Sequence, residues 1–257
     1  MRSARLNVLV HRQAYIRILY DRLLESFGPR RKWFGTDNRF EICVGAILVQ
    51  STAWRNVEKA VERLRDANAI HPRSIVALAD DELIELIRPA GFAVVKCRRL
   101  RAFSEMLVAE FGGELDRLLA LPLLPLRERL LATHGIGRET ADVICVYAAR
   151  YPAFVMDAYA ERIFGRLGLM TESEIGLEDN NSFFVPKPIT TASGYLSWQA
   201  LVESSLPSEA ALLGEFHALL IQLGKRNCVK THPKCGECPV WDLCLTGRSA
   251  HPATPVE

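Results

Sequence analysis

The stretch 125–159, PLRERLLATHGIGRETADVICVYAARYPAFVMDAY, decides how the rest of the chain is read. Leu126, Leu130 and Leu131 recur at helical spacing, the pattern breaks at His134-Gly135-Ile136-Gly137, and a helical pattern resumes over 138–150. Two glycines one residue apart let the backbone turn sharply and leave its amides uncovered by side chains. A helix starts at once, so its free N–H groups and positive dipole end make the turn a ready anion site. Asp157 follows the second helix in a short hydrophobic surround of Phe154, Val155 and Met156. A plain helical hairpin with a glycine turn is the competing reading, and a second motif, a run of cysteines, shifts the balance.

Outward from this stretch, the pattern is helical almost throughout. Apolar residues at helical spacing predict helices at 16–27, where Gly28-Pro29 stops the pattern, and at 40–48, 57–64, 74–78, 81–87, 96–111, 115–120, 127–133 and 158–169. Further helices are expected near 198–201 and 209–223, and strand-like alternation is scarce. Helices this short cannot bury their apolar stripes alone, so they pack on a common core and the fold class is all-α. The Gly/Asn/Pro-containing stretch 171–194 interrupts the second half.

A chain of 257 residues, 49% hydrophobic and 24% charged, suits one or two globular domains. No apolar run reaches a membrane span, and the first residues hold no sustained apolar core, so neither a membrane anchor nor a secretory signal is expected. The formal charge is only +2, but basic residues gather at 30–32, 96–101 and 225–234, and acidic ones at 80–85 and 172–179. Such a chain can present a cationic face to nucleic acid despite its near-neutral total.

Of seven cysteines, Cys228, Cys235, Cys238 and Cys244 fall in the spacing C-x6-C-x2-C-x5-C. Four thiols so close together argue for a metal site in a reducing compartment rather than a disulfide framework. They can enclose a tetrahedral zinc or a [4Fe–4S] cluster. Zinc ribbons show two C-x2-C pairs, and here there is one. Cys43, Cys97 and Cys145 lie on apolar helical faces and are expected in the core.

The hairpin, the aspartate after it and the cysteine spacing together resemble the helix-hairpin-helix DNA glycosylases, and the cysteine loop is similar to the [4Fe–4S] loop of endonuclease III. The likeness runs from about Phe40 to Cys244. It implies that Gly135, Ile136 and Gly137, with Arg138, grip a DNA phosphate, and that Lys230 and Lys234 face the backbone. It implies that Asp157 is the catalytic carboxylate. It also implies a monovalent cation, Na or K, on the carbonyls of Leu131, Thr133 and Ile136. Gln50 matches the glutamine that endonuclease III inserts into the duplex when a nucleotide is flipped out; a water-exposed glutamine at a helix end is the alternative. Trp33, Phe34 and Trp54 resemble the aromatic pocket of the 3-methyladenine glycosylases, where a cationic methylated base gains a cation–π contact; aromatic residues at such spacing also build cores.

Glu139 is the most telling departure. Strand-nicking members carry lysine in G-h-G-[RK]-K-[ST]-A, whereas this turn reads Gly135-Ile136-Gly137-Arg138-Glu139-Thr140-Ala141. A carboxylate cannot form a Schiff base, so a monofunctional enzyme is expected. The segments 87–92 and 156–159 also look like the alkylation-repair branch. The resemblance therefore implies a monomeric, cytoplasmic enzyme, nucleoid-associated in a bacterium, acting on alkylated purines in double-stranded DNA. Its fold would be a six-helix barrel at 36–151 and a discontinuous iron–sulfur lobe of 1–35 and 152–257, with DNA across the junction. The competing expectations are an endonuclease III-like glycosylase and lyase for oxidised pyrimidines, and a DNA-binding paralogue without catalysis.

Overall fold

The computed structural model describes residues 2–30, 34–169 and 192–250, and among these there is no strand. The chain divides into two units, Phe34–Tyr151 and the discontinuous pair Met1–Trp33 with Pro152–Glu257.

The contiguous unit is built around α2 (Arg39–Leu48). Asn38 starts it, its side-chain oxygen accepting from the amides of Phe40 (3.0 Å) and Glu41 (3.2 Å). Every residue from Phe40 to Leu48 is buried, as a helix apolar nearly all round must be. The one acid among them, Glu41, is held by two guanidinium N–H groups of Arg65, at 2.7 and 2.5 Å. Around α2 follow α3 (Trp54–Asp66), α4 (Pro72–Ala77), α5 (Asp80–Ile87), α6 (Ala93–Phe111) and α7 (Leu115–Leu119). The hairpin is made by α8 (Leu123–Leu131) and α9 (Arg138–Val143). Helix α8 starts four residues ahead of the pattern read from sequence. Pro125 stands in its first turn, where a missing N–H costs no intrahelical bond.

The second hairpin helix is not the uniform element expected over 138–150. It changes to a π-helical turn at Ile144–Ala148, marked by the Ala149 amide donating to the Ile144 carbonyl five residues back (3.0 Å). The extra residue per turn keeps Ile144, Cys145, Val146 and Ala148 all buried. Asp142, just before it, is clamped by Arg127 of α8 at 2.6 Å.

The discontinuous unit comprises α1 (Arg2–Phe27), α10 (Ala158–Leu167), α11 (Ala192–Ser205), α12 (Ala210–Arg226) and α13 (Leu245–Ala250). Its core joins Ile16, Leu19 and Leu23 of α1 to Phe164, Trp198 and Phe216, with Phe164 stacked on Trp198 at 4.8 Å and 10°. Helix α1 runs well ahead of the expected start at residue 16. Arg17 donates to the Ser205 carbonyl (2.7 Å), Tyr20 to Glu215 (2.8 Å), Arg22 to Asp242 (2.5 Å) and Tyr15 to the Leu243 carbonyl. These bonds tie the first helix to the last fifty-odd residues. No described helix is long and apolar enough to cross a membrane.

Candidate functional site

Within the unit Phe34–Tyr151, the hairpin turn is shaped by its glycines. Gly135 has φ +82°, the left-handed region that other residues enter at a cost, and a Cβ there would collide with Cγ of Arg99. Gly137 is extended, at φ −90° and ψ −179°, and caps α9. A Cβ on Gly137 would meet nothing within 4 Å, so the backbone at the start of α9 is open. Ile136 plugs the turn from beneath at 4% exposure, and its amide donates to the Thr133 carbonyl (3.1 Å). That carbonyl is one of the three named above for a monovalent cation, so an ion there shares it with this bond. Arg138 and Glu139 are exposed in the first turn of α9.

Gln50, just past α2, lies along the hairpin. Its side-chain nitrogen donates to the Gly135 carbonyl (3.1 Å) and to Thr140 Oγ1 (2.9 Å), and its oxygen accepts from Arg99. Arg99 therefore has two tasks: its stem fills the space that Gly135 leaves, and its guanidinium orients the Gln50 amide. The only sequence trace of Arg99 was its place in the basic run 96–101.

Phe34 and Trp54 meet edge-on, with ring centres 5.2 Å apart, and Phe34 meets Tyr147 at 5.1 Å. Gly45 lets them close over α2, because a Cβ there would come within 3.2 Å of Trp54 Cη2 and 3.4 Å of Phe34 Cε1. Trp33 lies outside the described residues. Tyr147, which the sequence reading missed, is carried on the π turn and is half-buried. Phe92, the last residue of the segment 87–92, has φ +50°, is 70% exposed, and precedes α6 beside exposed Val94 and Val95. Behind it Lys96 is buried, its Nζ donating to the Ala90 carbonyl (2.7 Å), and burial pulls its pKa down to about 8.

In the discontinuous unit, Asp157 is the N-cap of α10. Its Oδ1 accepts from the Ala160 amide (2.7 Å), and the residue is 6% exposed. Its Oδ2 lies 3.5 Å from Nε2 of His217 on α12. One turn on, the Glu161 carboxyl is raised above its ordinary pKa, first by burial and then by the Asp157 charge. The sequence marked Asp157 but not its cap role, nor either neighbour.

Cys228, Cys235, Cys238 and Cys244 line one cavity, with Arg166, Trp241 and Thr246 among its other walls. Two arginines one turn apart on α10 hold the backbone at the start of the cysteine loop. Arg166 donates to Cys228 Sγ (3.1 Å), to the Val229 carbonyl (2.8 Å) and to the Lys230 carbonyl (2.9 Å). Arg162 donates to the carbonyls of Cys228 (2.8 Å) and Gly224 (3.2 Å). Burial pushes the Cys238 thiol up to about 11 and raises Cys244 as well. Among the described residues no three His, Cys, Asp or Glu side chains converge as a single ion requires. Four thiols lining one cavity are a donor set that suits a metal group bound through cysteine sulfur. Lys230 and Lys234 are exposed on this loop, and the segment 170–191 lies outside the described residues. Cys43, Cys97 and Cys145 are buried in the other unit, as expected of core thiols.

Against known proteins, the pattern of the HhH-GPD superfamily of base excision DNA repair proteins matches residues 44–182. A protein of Methanocaldococcus jannaschii, MJ1434, named as a candidate DNA repair glycosylase, is 34% identical over 229 residues, 89% of this chain and 94% of that protein. Endonuclease III of Bacillus subtilis is 26% identical over 82% of this chain and 83% of its own length. Among solved structures, a non-covalent endonuclease III–DNA complex superposes with a TM-score of 0.72 over 93% of this chain and 98% of that one, at 24% identity. The latter likeness is one of fold. A family match across more than half the chain, and a relative one-third identical along nearly all of it, settle the kinship: the chain belongs to the HhH-GPD superfamily of base excision DNA repair proteins.

Proposed function

We propose that this protein is a monofunctional DNA glycosylase that hydrolyses the N-glycosidic bond of an alkylated purine flipped out of duplex DNA. The observation that carries the reading is Asp157, a carboxylate at the positive end of α10. Breaking the bond builds positive charge on the deoxyribose, and a carboxylate facing the sugar would stabilise that charge. At ~4 Å and an effective dielectric of ~20, opposite unit charges attract by roughly 4 kcal/mol, or about a thousandfold in rate. The same carboxylate can orient or deprotonate the attacking water. An alkylated purine leaves as a neutral base, so the reaction requires no strong general acid. Phe34 and Trp54, with Tyr147, offer the π-surface such a cationic base prefers, worth about 0.5–2 kcal/mol as a cation–π contact.

The absence of a lyase step is supported by the lysines of the unit Phe34–Tyr151, which are Lys59 and Lys96. Lys59 is exposed on α3, five residues past Trp54. Lys96 has the lowered pKa a Schiff-base lysine needs, yet it is 1% exposed and its Nζ is committed to Ala90. Glu139 cannot substitute for either.

The glycine turn would hold a phosphate through its amides, with Lys230 and Lys234 adding charge, and the carbonyls of Leu131, Thr133 and Ile136 would take a monovalent cation. Gln50 would enter the duplex only by leaving its bonds to Gly135 and Thr140. Cys228, Cys235, Cys238 and Cys244 would hold a [4Fe–4S] cluster, which when bound supplies covalent cross-links to a loop with little apolar packing. Relatives by sequence are named endonuclease III and, in Aeropyrum pernix, thymine-DNA glycosylase, so their names span several lesions.

The test uses duplexes alkylated with dimethyl sulfate and duplexes bearing thymine glycol, each with and without alkali. The expected result is base release from the first, with strand scission only after alkali. Nicking of thymine glycol duplexes without alkali, with a borohydride-trapped adduct, would instead support the bifunctional reading. Tight binding to every duplex without release would support a non-catalytic paralogue.

A further inference from the structure

We infer that His217 is the positioning residue for Asp157, an inference that rests on the catalytic reading of that carboxylate. Asp157 has two oxygens with different fates. Oδ1 is fixed by the Ala160 amide at 2.7 Å, a bond that belongs to the helix cap. Capping leaves Oδ2 undirected, and Oδ2 is the oxygen that lies 3.5 Å from Nε2 of His217, with the two side chains 8% and 5% exposed.

The imidazole is held from several sides. Phe154 packs edge-on against it, with ring centres 6.5 Å apart at 89°. Phe154 is itself pinned, its amide donating to Glu203 (2.8 Å) and its carbonyl accepting from Gln199 (2.7 Å). Two residues before His217, Glu215 accepts from Tyr20 (2.8 Å) and from the Arg30 amide (3.0 Å), which sets the rotation of α12 about its axis. In a packed interior a ring so enclosed keeps its direction. A carboxylate that must meet a sugar at a defined angle gains from such a fixed neighbour.

Glu161, one turn along α10, is the other acid acting on Asp157, and burial holds it toward its neutral form. An Nε2–H of the imidazole aimed at Oδ2 would direct that oxygen. The 3.5 Å separation is long for a hydrogen bond, as catalytic contacts commonly are before substrate binds.

The experiment measures single-turnover base release from duplex DNA alkylated with dimethyl sulfate, and the Kd for the same duplex. The variants are His217→Phe, His217→Gln, His217→Asn and Asp157→Asn, each checked for helical circular dichroism. His217→Phe is expected to slow release at least tenfold with Kd within twofold of the parent. His217→Gln, whose amide N–H reaches the Nε2 position, is expected to restore the rate to within threefold, and the shorter His217→Asn is not. If His217→Phe does not fold, the contrast between Gln and Asn decides alone. Parental rates in every His217 variant beside an inactive Asp157→Asn would overturn the inference and leave Asp157 in place. Equal slowing by Gln and Asn would overturn it too, showing packing alone. Full activity of Asp157→Asn would sink the reading of Asp157 itself, and the role of His217 with it.

Discussion

The glycine turn at 135–137 and the cap at Asp157 each present the start of a helix, and they do opposite things with it. At the turn, the two glycines place no side chain of their own over the amides: Gly137 has open space around it, and Gly135 is pressed against Arg99. At the cap, a side chain takes the helix's free amide for itself, Asp157 accepting from Ala160 at 2.7 Å. The first leaves amides open to a partner from outside, and the second covers its amide with its own side chain. The two ends differ in what a substitution can remove, because backbone amides survive mutation and a carboxylate does not.

Asp157→Asn should break the comparison hardest. Asparagine caps a helix about as well as aspartate, so α10 and the melting temperature should hold while base release falls about a thousandfold, the Coulomb figure given above. Single-turnover kinetics beside a thermal melt check both halves. Comparable turnover in the mutant would remove the charge from the mechanism.

Gly135→Ala comes next and should act on binding instead. A methyl group forced into φ +82° and against Arg99 costs about 1–2 kcal/mol or more. The expected result is at least tenfold weaker duplex binding by fluorescence anisotropy. Gly137→Ala, with room for its Cβ and an ordinary φ of −90°, should keep the fold and lose affinity only where the methyl group crowds a phosphate. Equal losses at both positions would mean that the turn is a structural element and no anion site.

Glu139→Lys sharpens the same contrast by putting an amine on the exposed first turn of α9. Weak strand nicking and a small yield of borohydride-trapped adduct are expected, with base release still dominant.

The smallest effect belongs to Lys96. Its folded pKa of about 8 lies below the ordinary 10.5. Below pH 8 both states are charged, and the folded protein carries the full cost of burying that charge. Between about 8 and 10.5 the unfolded chain keeps a proton that the folded one has lost, so stability rises with pH across this window. Lys96→Met should abolish the rise. Tm measured from pH 7.5 to 10 should then climb by a few degrees relative to the mutant, and parallel curves for the two proteins would refute the assignment.

What the letters disclosed follows the same division. The hairpin could be read because a sharp turn with bare amides is written as glycine, and the four cysteines because they crowd together in sequence as they do around one cavity. Contacts between distant positions left no local trace. His217 stands sixty residues from Asp157, and Arg99 forty-nine from Gln50. The π turn at Ile144–Ala148 was invisible for another reason: one extra residue per turn shifts the apolar stripe too little to distinguish from an α-helix in a run that is apolar on every side. Tyr147 was lost with it. The start of α1 was missed because the charged and polar residues before Ile16 blur the apolar stripe on which the reading depended.

The bonds from Tyr15, Arg17 and Arg22 to residues 205, 242 and 243 have a consequence during synthesis. The segment 15–22 finds these partners only after residues 205–243 have left the ribosome. The contiguous stretch 34–151 can collapse earlier, since domains form as units while translation proceeds. Helix α1 must therefore wait, its apolar stripe uncovered, while the roughly two hundred residues between it and these partners are made.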